Sequence, residues 1–134
     1  MSRENLIVDA SAFLAVILEE PEKASILEGT TGANLKVPGC LQWEVGNAFS
    51  AMVKRGRLSI EHGLEALRIF DQIPYQEIDV NLVEALQIAN RHGIYAYDAY
   101  YLAAAKTHRL KLLTLDRKMQ QVAEKEGIKT KDII

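Results

Sequence analysis

The run Leu6-Ile7-Val8 is apolar without a break and stops at Asp9. Three consecutive apolar side chains predict a strand covered on both faces, the pattern of a parallel sheet. A helix follows over 11–18. Pro21 restarts the chain in the first turn of a short second helix over 22–28, closed by Gly29. Leu35-Lys36-Val37 predicts a second strand, ended by Pro38-Gly39. From Leu41 to Lys54 the apolar positions Leu41, Val45, Ala48, Phe49, Met52 and Val53 recur at helical spacing, with a stop near Gly56. Ser59 is placed to cap a helix running to about Asp71, with Leu64, Leu67, Ile69 and Phe70 as its apolar surface. Residues 75–80 alternate as a strand does. Asn81 with Glu84 is a start signal for a helix over 82–91, ended at Gly93. A helix over 97–107, a strand over 111–115, a helix over 117–126 closed by Gly127, and a short strand over 128–130 complete the order. Strands alternating with helices predict an α/β fold with a mostly parallel sheet.

The chain has 134 residues, 49% hydrophobic and 25% charged, which suits one globular domain over 1–134. No apolar stretch approaches a membrane span and no signal peptide is visible, so the expected location is the cytoplasm. Cys40 is the only cysteine; it excludes a disulfide within the chain and reads as a small buried hydrophobe. The net charge of −2 is low for a nucleic-acid binder, but without four particular acids the remainder carries +2. Charge therefore leaves an RNA substrate open.

Those four acids are Asp9, Glu44, Asp98 and Asp116. Asp9 ends the first strand and Asp116 ends the strand over 111–115, so both belong at the carboxyl edge of the sheet, where open α/β proteins bind ligands. Glu44 and Asp98 lie in the first turns of two helices that begin at that edge. Four carboxylates in one cleft repel one another unless a cation neutralises them. Mg²⁺ and Mn²⁺ take oxygen ligands and activate water for phosphodiester hydrolysis. Each acid also has a plainer use: Asp9, Asp98 and Asp116 as helix caps, Glu44 as a first-turn acid facing the helix dipole.

Four local patterns carry a family resemblance: Ile7-Val8-Asp9-Ala10-Ser11; Val37-Pro38 followed by Trp43-Glu44-Val45-Gly46-Asn47-Ala48; Tyr97-Asp98-Ala99-Tyr100-Tyr101-Leu102-Ala103-Ala104-Ala105; and Leu113-Thr114-Leu115-Asp116-Arg117-Lys118-Met119. In this order and spacing the chain resembles PIN domains, in particular the VapC-type toxins of bacterial and archaeal toxin–antitoxin pairs, from Leu6 to about Ile128. The resemblance implies a three-layer α/β/α sandwich with strand order 3-2-1-4-5. It implies an Mg²⁺- or Mn²⁺-dependent endoribonuclease whose ion is held, directly or through water, by Asp9, Glu44, Asp98 and Asp116. Hydrolysis would leave a 5′-phosphate and a 3′-hydroxyl. Thr114 and Ser11 look like hydroxyls that orient the acids, and Asn47 like a polar partner one turn after Glu44; their plainer readings are an ST-turn, an N-cap and a surface amide. The resemblance further implies a homodimer inhibited by a small protein antitoxin. Gly46 weakens its helix beside the site, with no reason legible in the sequence.

His62, His92 and His108 show no metal-ligand spacing and read as surface or cap residues. Tyr95, Tyr97, Tyr100 and Tyr101 read first as packing, then as dimer contacts or base-stacking groups. Lys54, Arg55 and Arg57 suit a helix C-terminus, whereas Arg117 and Lys118 are placed to meet an RNA backbone. Three rivals differ from the nuclease reading. A phosphotransfer receiver needs paired acids after the first strand, where Ala10 and Ser11 stand. A metal-adhesion loop needs a second Ser where Phe13 stands. A PIN-like module that binds RNA or a partner without cutting keeps the fold but needs no acids.

Overall fold

The computed structural model describes residues 3–133. In chain order it forms β1 (Asn5–Val8), α1 (Ala10–Ile17), α2 (Lys23–Thr30), β2 (Asn34–Val37), α3 (Leu41–Lys54), α4 (Ile60–Asp71), β3 (Gln76–Glu77), α5 (Leu82–His92), α6 (Ala96–His108), β4 (Lys111–Leu113) and α7 (Arg117–Lys125). The strands make one parallel sheet in the order β3-β2-β1-β4. Beside β4, Thr130 adds a single parallel bridge to Leu112. The expected order 3-2-1-4-5 thus holds for four strands, and the fifth shrinks to that bridge.

β1 sits between β2 and β4, and its apolar run is buried because both of its faces are covered. Alternate side chains of a strand point to opposite faces. Leu6 and Val8 enter one core with α1, α2, α3 and α4, and Leu113 joins them. Ile7 and Leu112 enter a second core with α5, α6 and α7. Helices on both faces of one sheet make the three-layer sandwich. α6 is buried along Ala99 and 101–105, where four alanines let it lie close to the sheet and to α5.

Helix starts follow local chemistry. Asp9, Ser59, Asn81 and Asp116 each accept the backbone N–H three residues on. Gly93 ends α5 in the left-handed region, at φ 62°.

Several expectations change. α2 begins at Lys23, after Pro21, and runs through Gly29 to Thr30; the Thr30 and Thr31 hydroxyls bond back to the Ile26 and Leu27 carbonyls and extend it. The strand expected over 75–80 is only Gln76–Glu77, because its one neighbour, β2, gives way to Pro38, which has no N–H to offer the ladder. The strand expected over 111–115 stops at Leu113, because the Leu115 and Asp116 N–H groups are taken by the Ser11 and Thr114 hydroxyls. α4 turns Gly63, Ala66 and Phe70 inward, leaving Leu64, Leu67 and Ile69 largely exposed. Gly63 lies against α3, where a Cβ would come 3.4 Å from the Val53 side chain. No helix among the described residues is long and apolar enough to cross a membrane.

One polar cluster ties the second helix layer together. Glu126, just after α7, accepts two bonds from Arg91 (3.1 and 3.0 Å), one from Lys106 (2.8 Å), and meets His92 Nε2 at 2.6 Å. His92 is therefore a half-buried partner in a network and not a plain surface residue. Glu84 joins through Lys106 at 2.8 Å.

Gly46, inside α3, approaches nothing: a Cβ there would meet open space. Gly46→Ala is therefore expected to stabilise the protein by about 0.5–1 kcal/mol through helix propensity alone. A denaturant titration showing a loss would reveal a contact the geometry does not contain.

Candidate active site

Asp9 is the most constrained of the acids. It lies between β1 and α1 and is only 4% exposed. Its Oδ1 accepts from the Ser11 hydroxyl at 2.6 Å and the Ala12 N–H at 3.3 Å. Its Oδ2 accepts from the Thr114 hydroxyl at 2.5 Å. Both hydroxyls are themselves oriented: Ser11 accepts from Leu115 N–H and Thr114 from Asp116 N–H, each at 3.0 Å. The loop after β4 is thus fastened to the loop after β1, and the two hydroxyl protons of Ser11 and Thr114 point toward Asp9.

Glu44 comes from the first turn of α3. Its Oε2 accepts from the Tyr101 hydroxyl at 2.7 Å and from the Cys40 thiol at 3.1 Å. Neither partner was expected from the sequence. Cys40 is half-buried and hydrogen-bonded, not a mere apolar filler. Tyr101 is buried, as packing predicts, but its hydroxyl faces the acid. One signal was available: Cys40 lies four residues before Glu44 and Tyr101 three after Asp98, so each shares a helix face with an acid. Asp98 is half-buried in the first turn of α6, three residues beyond the N-cap position. Asp116 is exposed and caps α7 through Met119 N–H at 3.2 Å. Asn47 is exposed one turn beyond Glu44, and among the described residues no hydrogen bond joins it to an acid.

The acids sense one another's charge. Burial pushes the Asp9 carboxyl up to about 6, against its hydrogen bonds, and Asp116 adds to the rise. Burial also raises Asp98, again with Asp116 contributing, and raises Glu44, with Asp98 contributing. Burial lifts the Cys40 thiol to about 12, so at neutral pH it remains a donor.

A hard divalent cation fits that donor set, which is all carboxylate and hydroxyl oxygen, and would supply positive charge. The side chains do not, as they stand, form a closed cage: among the described residues no three His, Cys, Asp or Glu groups are disposed to hold one ion. The acids share a sheet edge and an electrostatic field, while Asp9 and Glu44 are each turned toward their own hydrogen-bond donors.

A parallel sheet with helices on both faces and interacting carboxylates beyond its carboxyl ends defines an α/β protein with an acidic strand-end site. The chain belongs to the PIN domain family, whose sequence model matches residues 6–125. Ribonuclease VapC3 of Pyrobaculum aerophilum is similar at 32% identity over 125 residues, covering 90% of this chain and 93% of that protein. The crystal structure of PAE2754 from Pyrobaculum aerophilum is similar at 26% identity and a TM-score of 0.65, over all of this chain (100%) and 91% of that one. The structure of VapBC2 from Rickettsia felis, bound to a DNA fragment from its promoter, matches at 15% identity and a TM-score of 0.68, over 97% of this chain and 99% of that one, a likeness of fold alone.

Proposed function

We propose that this chain is a metal-dependent endoribonuclease and the toxin of a type II toxin–antitoxin pair. Membership of the PIN family and the likeness to a VapC ribonuclease support nuclease activity. The observation that carries the metal dependence is that Asp9, Glu44 and Asp98 are lifted first by burial and then by the charge of a neighbouring acid. Asp9, Glu44, Asp98 and Asp116 are the residues that would hold Mg²⁺ or Mn²⁺. A bound ion would supply charge neutralisation at the phosphate and activation of the attacking water.

The chain's own residues have separate tasks. Ser11 and Thr114 fix the orientation of Asp9 through bonds to both of its oxygens. Asp116 fastens the start of α7, and Arg117 and Lys118, exposed beside it, are placed to bind the RNA backbone. In the reaction a water oxygen bonds to phosphorus as the bond to O3′ breaks, giving a 5′-phosphate and a 3′-hydroxyl. The RNA substrate, an antitoxin that covers the acidic site, a homodimer and a cytoplasmic location complete the proposal. The family match leaves the receiver and adhesion-module readings without support.

A cleavage assay with purified protein and unstructured RNA tests it. Cleavage in Mg²⁺ or Mn²⁺ is expected to vanish in EDTA, to return with excess Mn²⁺, and to yield 5′-phosphate ends. Undiminished cleavage in EDTA, or stable RNA binding with no cutting in any divalent metal, would favour a metal-free nuclease or a binding module instead.

A further inference from the structure

The Glu44 carboxylate is tied across the fold, from α3 to the Tyr101 hydroxyl of α6, and also to the Cys40 thiol. Glu44 stands on α3, whose Leu41, Val45 and Phe49 pack in the first core, whereas both of its donors, Cys40 and Tyr101, pack with the second. Their donors meet on the same oxygen, Oε2. Among the described residues no hydrogen bond reaches Oε1. A carboxylate with one oxygen saturated and the other bare has a defined open side.

We propose that Tyr101 and Cys40 are positioning residues that pin one oxygen of Glu44 and thereby present its other oxygen to a divalent cation. The proposal rests on the reading of Glu44 as an ion-holding residue.

Packing alone does not account for this arrangement. Tyr101 is 1% exposed, and a buried hydroxyl needs an acceptor. The acceptor here is a site carboxylate 57 residues away in sequence. Tyr101 also lies one turn after Asp98 on α6, so one helix both delivers an acid and braces another. Cys40 adds a weaker donor from the N-cap position of α3, four residues before Glu44, which narrows the rotamers open to that acid. Bonds of this kind set the direction and basicity of a metal-holding group, and removing them typically weakens metal binding by about 10–100-fold.

The test is Mn²⁺ binding to metal-stripped protein, followed by calorimetry or electron paramagnetic resonance, with thermal unfolding as a check on the fold. Tyr101→Phe keeps the ring and deletes the donor; it is expected to weaken Mn²⁺ binding about tenfold. In a Glu44→Gln background the same change is expected to have no further effect. Cys40→Ala is expected to weaken binding by a smaller factor, and Cys40→Ser to restore it. A role confined to packing would move the unfolding temperature and leave this coupling at zero. Wild-type Mn²⁺ affinity in Tyr101→Phe, or equal losses with and without Glu44, would overturn the proposal while leaving the site intact. If Asp9→Asn and Glu44→Gln both bind Mn²⁺ as the wild type does, the acids do not hold the ion, and the site assignment falls together with the inference.

Discussion

Asp9→Asn is expected to lower metal-dependent RNA cleavage by about a thousandfold, about 4 kcal/mol of transition-state stabilisation, while making the metal-free protein more stable at pH 7. The opposite signs come from one cause. Asp9 is almost wholly buried, and its carboxyl titrates near 6 in the folded chain against an ordinary value of 3.8. The folded state therefore keeps a proton at pH values where the unfolded chain has lost it. Stability from this group falls as pH rises from about 4 to about 6 and stays low above that. The shift corresponds to a cost on the order of 3 kcal/mol at pH 7. Asparagine removes the charge, but its amide nitrogen cannot accept from Ser11 or Thr114, so the expected gain is smaller, about 2 kcal/mol. Urea unfolding in EDTA should show the difference between variant and wild type opening between pH 4 and pH 6. A variant that cuts RNA at the wild-type rate would remove Asp9 from the site. A variant less stable than wild type at pH 7 would show that the hydrogen bonds outweigh the desolvation.

The second large effect belongs to Glu126, away from the proposed chemistry. Its side chain is 7% exposed beneath Arg91, His92 and Lys106, and Arg91 above all holds its carboxyl down at about 2. Here the sign is reversed. A depressed folded value gives stability that is present above about 4.5 and is lost as pH falls toward 2. Arg91 and Lys106 are themselves 45% and 39% exposed, so water and salt screen the attraction, and the raw linkage must be discounted. Glu126→Gln is expected to cost about 2 kcal/mol at pH 7, with the penalty shrinking in 1 M salt and disappearing near pH 2. A penalty unchanged by salt and pH would mean that Glu126 acts through shape and not through charge. The cluster joins α5, α6 and the end of α7, so its loss should also speed amide exchange in those helices.

The two residues mark different limits of sequence reading. Asp9 was legible as a candidate because it ends an apolar run, and its second use as a helix cap was equally legible; the structure shows that one carboxylate makes the cap bond and also feels the charge of Asp116. Glu126 carried no signal. Its partners lie 35, 34 and 20 residues away, and nothing local distinguishes it from any acid near a helix end. Glu44 falls between the two: its position on α3 could be read, but not the tyrosine that binds it from another layer.

What the sequence determined by itself is what short-range forces govern. Four helix caps act over three residues, β1's apolar run needs only the alternation of a strand, and α3 follows from its repeat. Tertiary structure alone decided where β3 and β4 stop, which stripe of α4 faces inward, and which donors close on Asp9 and Glu44. Those outcomes depend on partners up to 105 residues distant. Ordering such partners costs chain entropy that no local propensity repays, and only the packed sheet and its two helical layers bring them within hydrogen-bond reach.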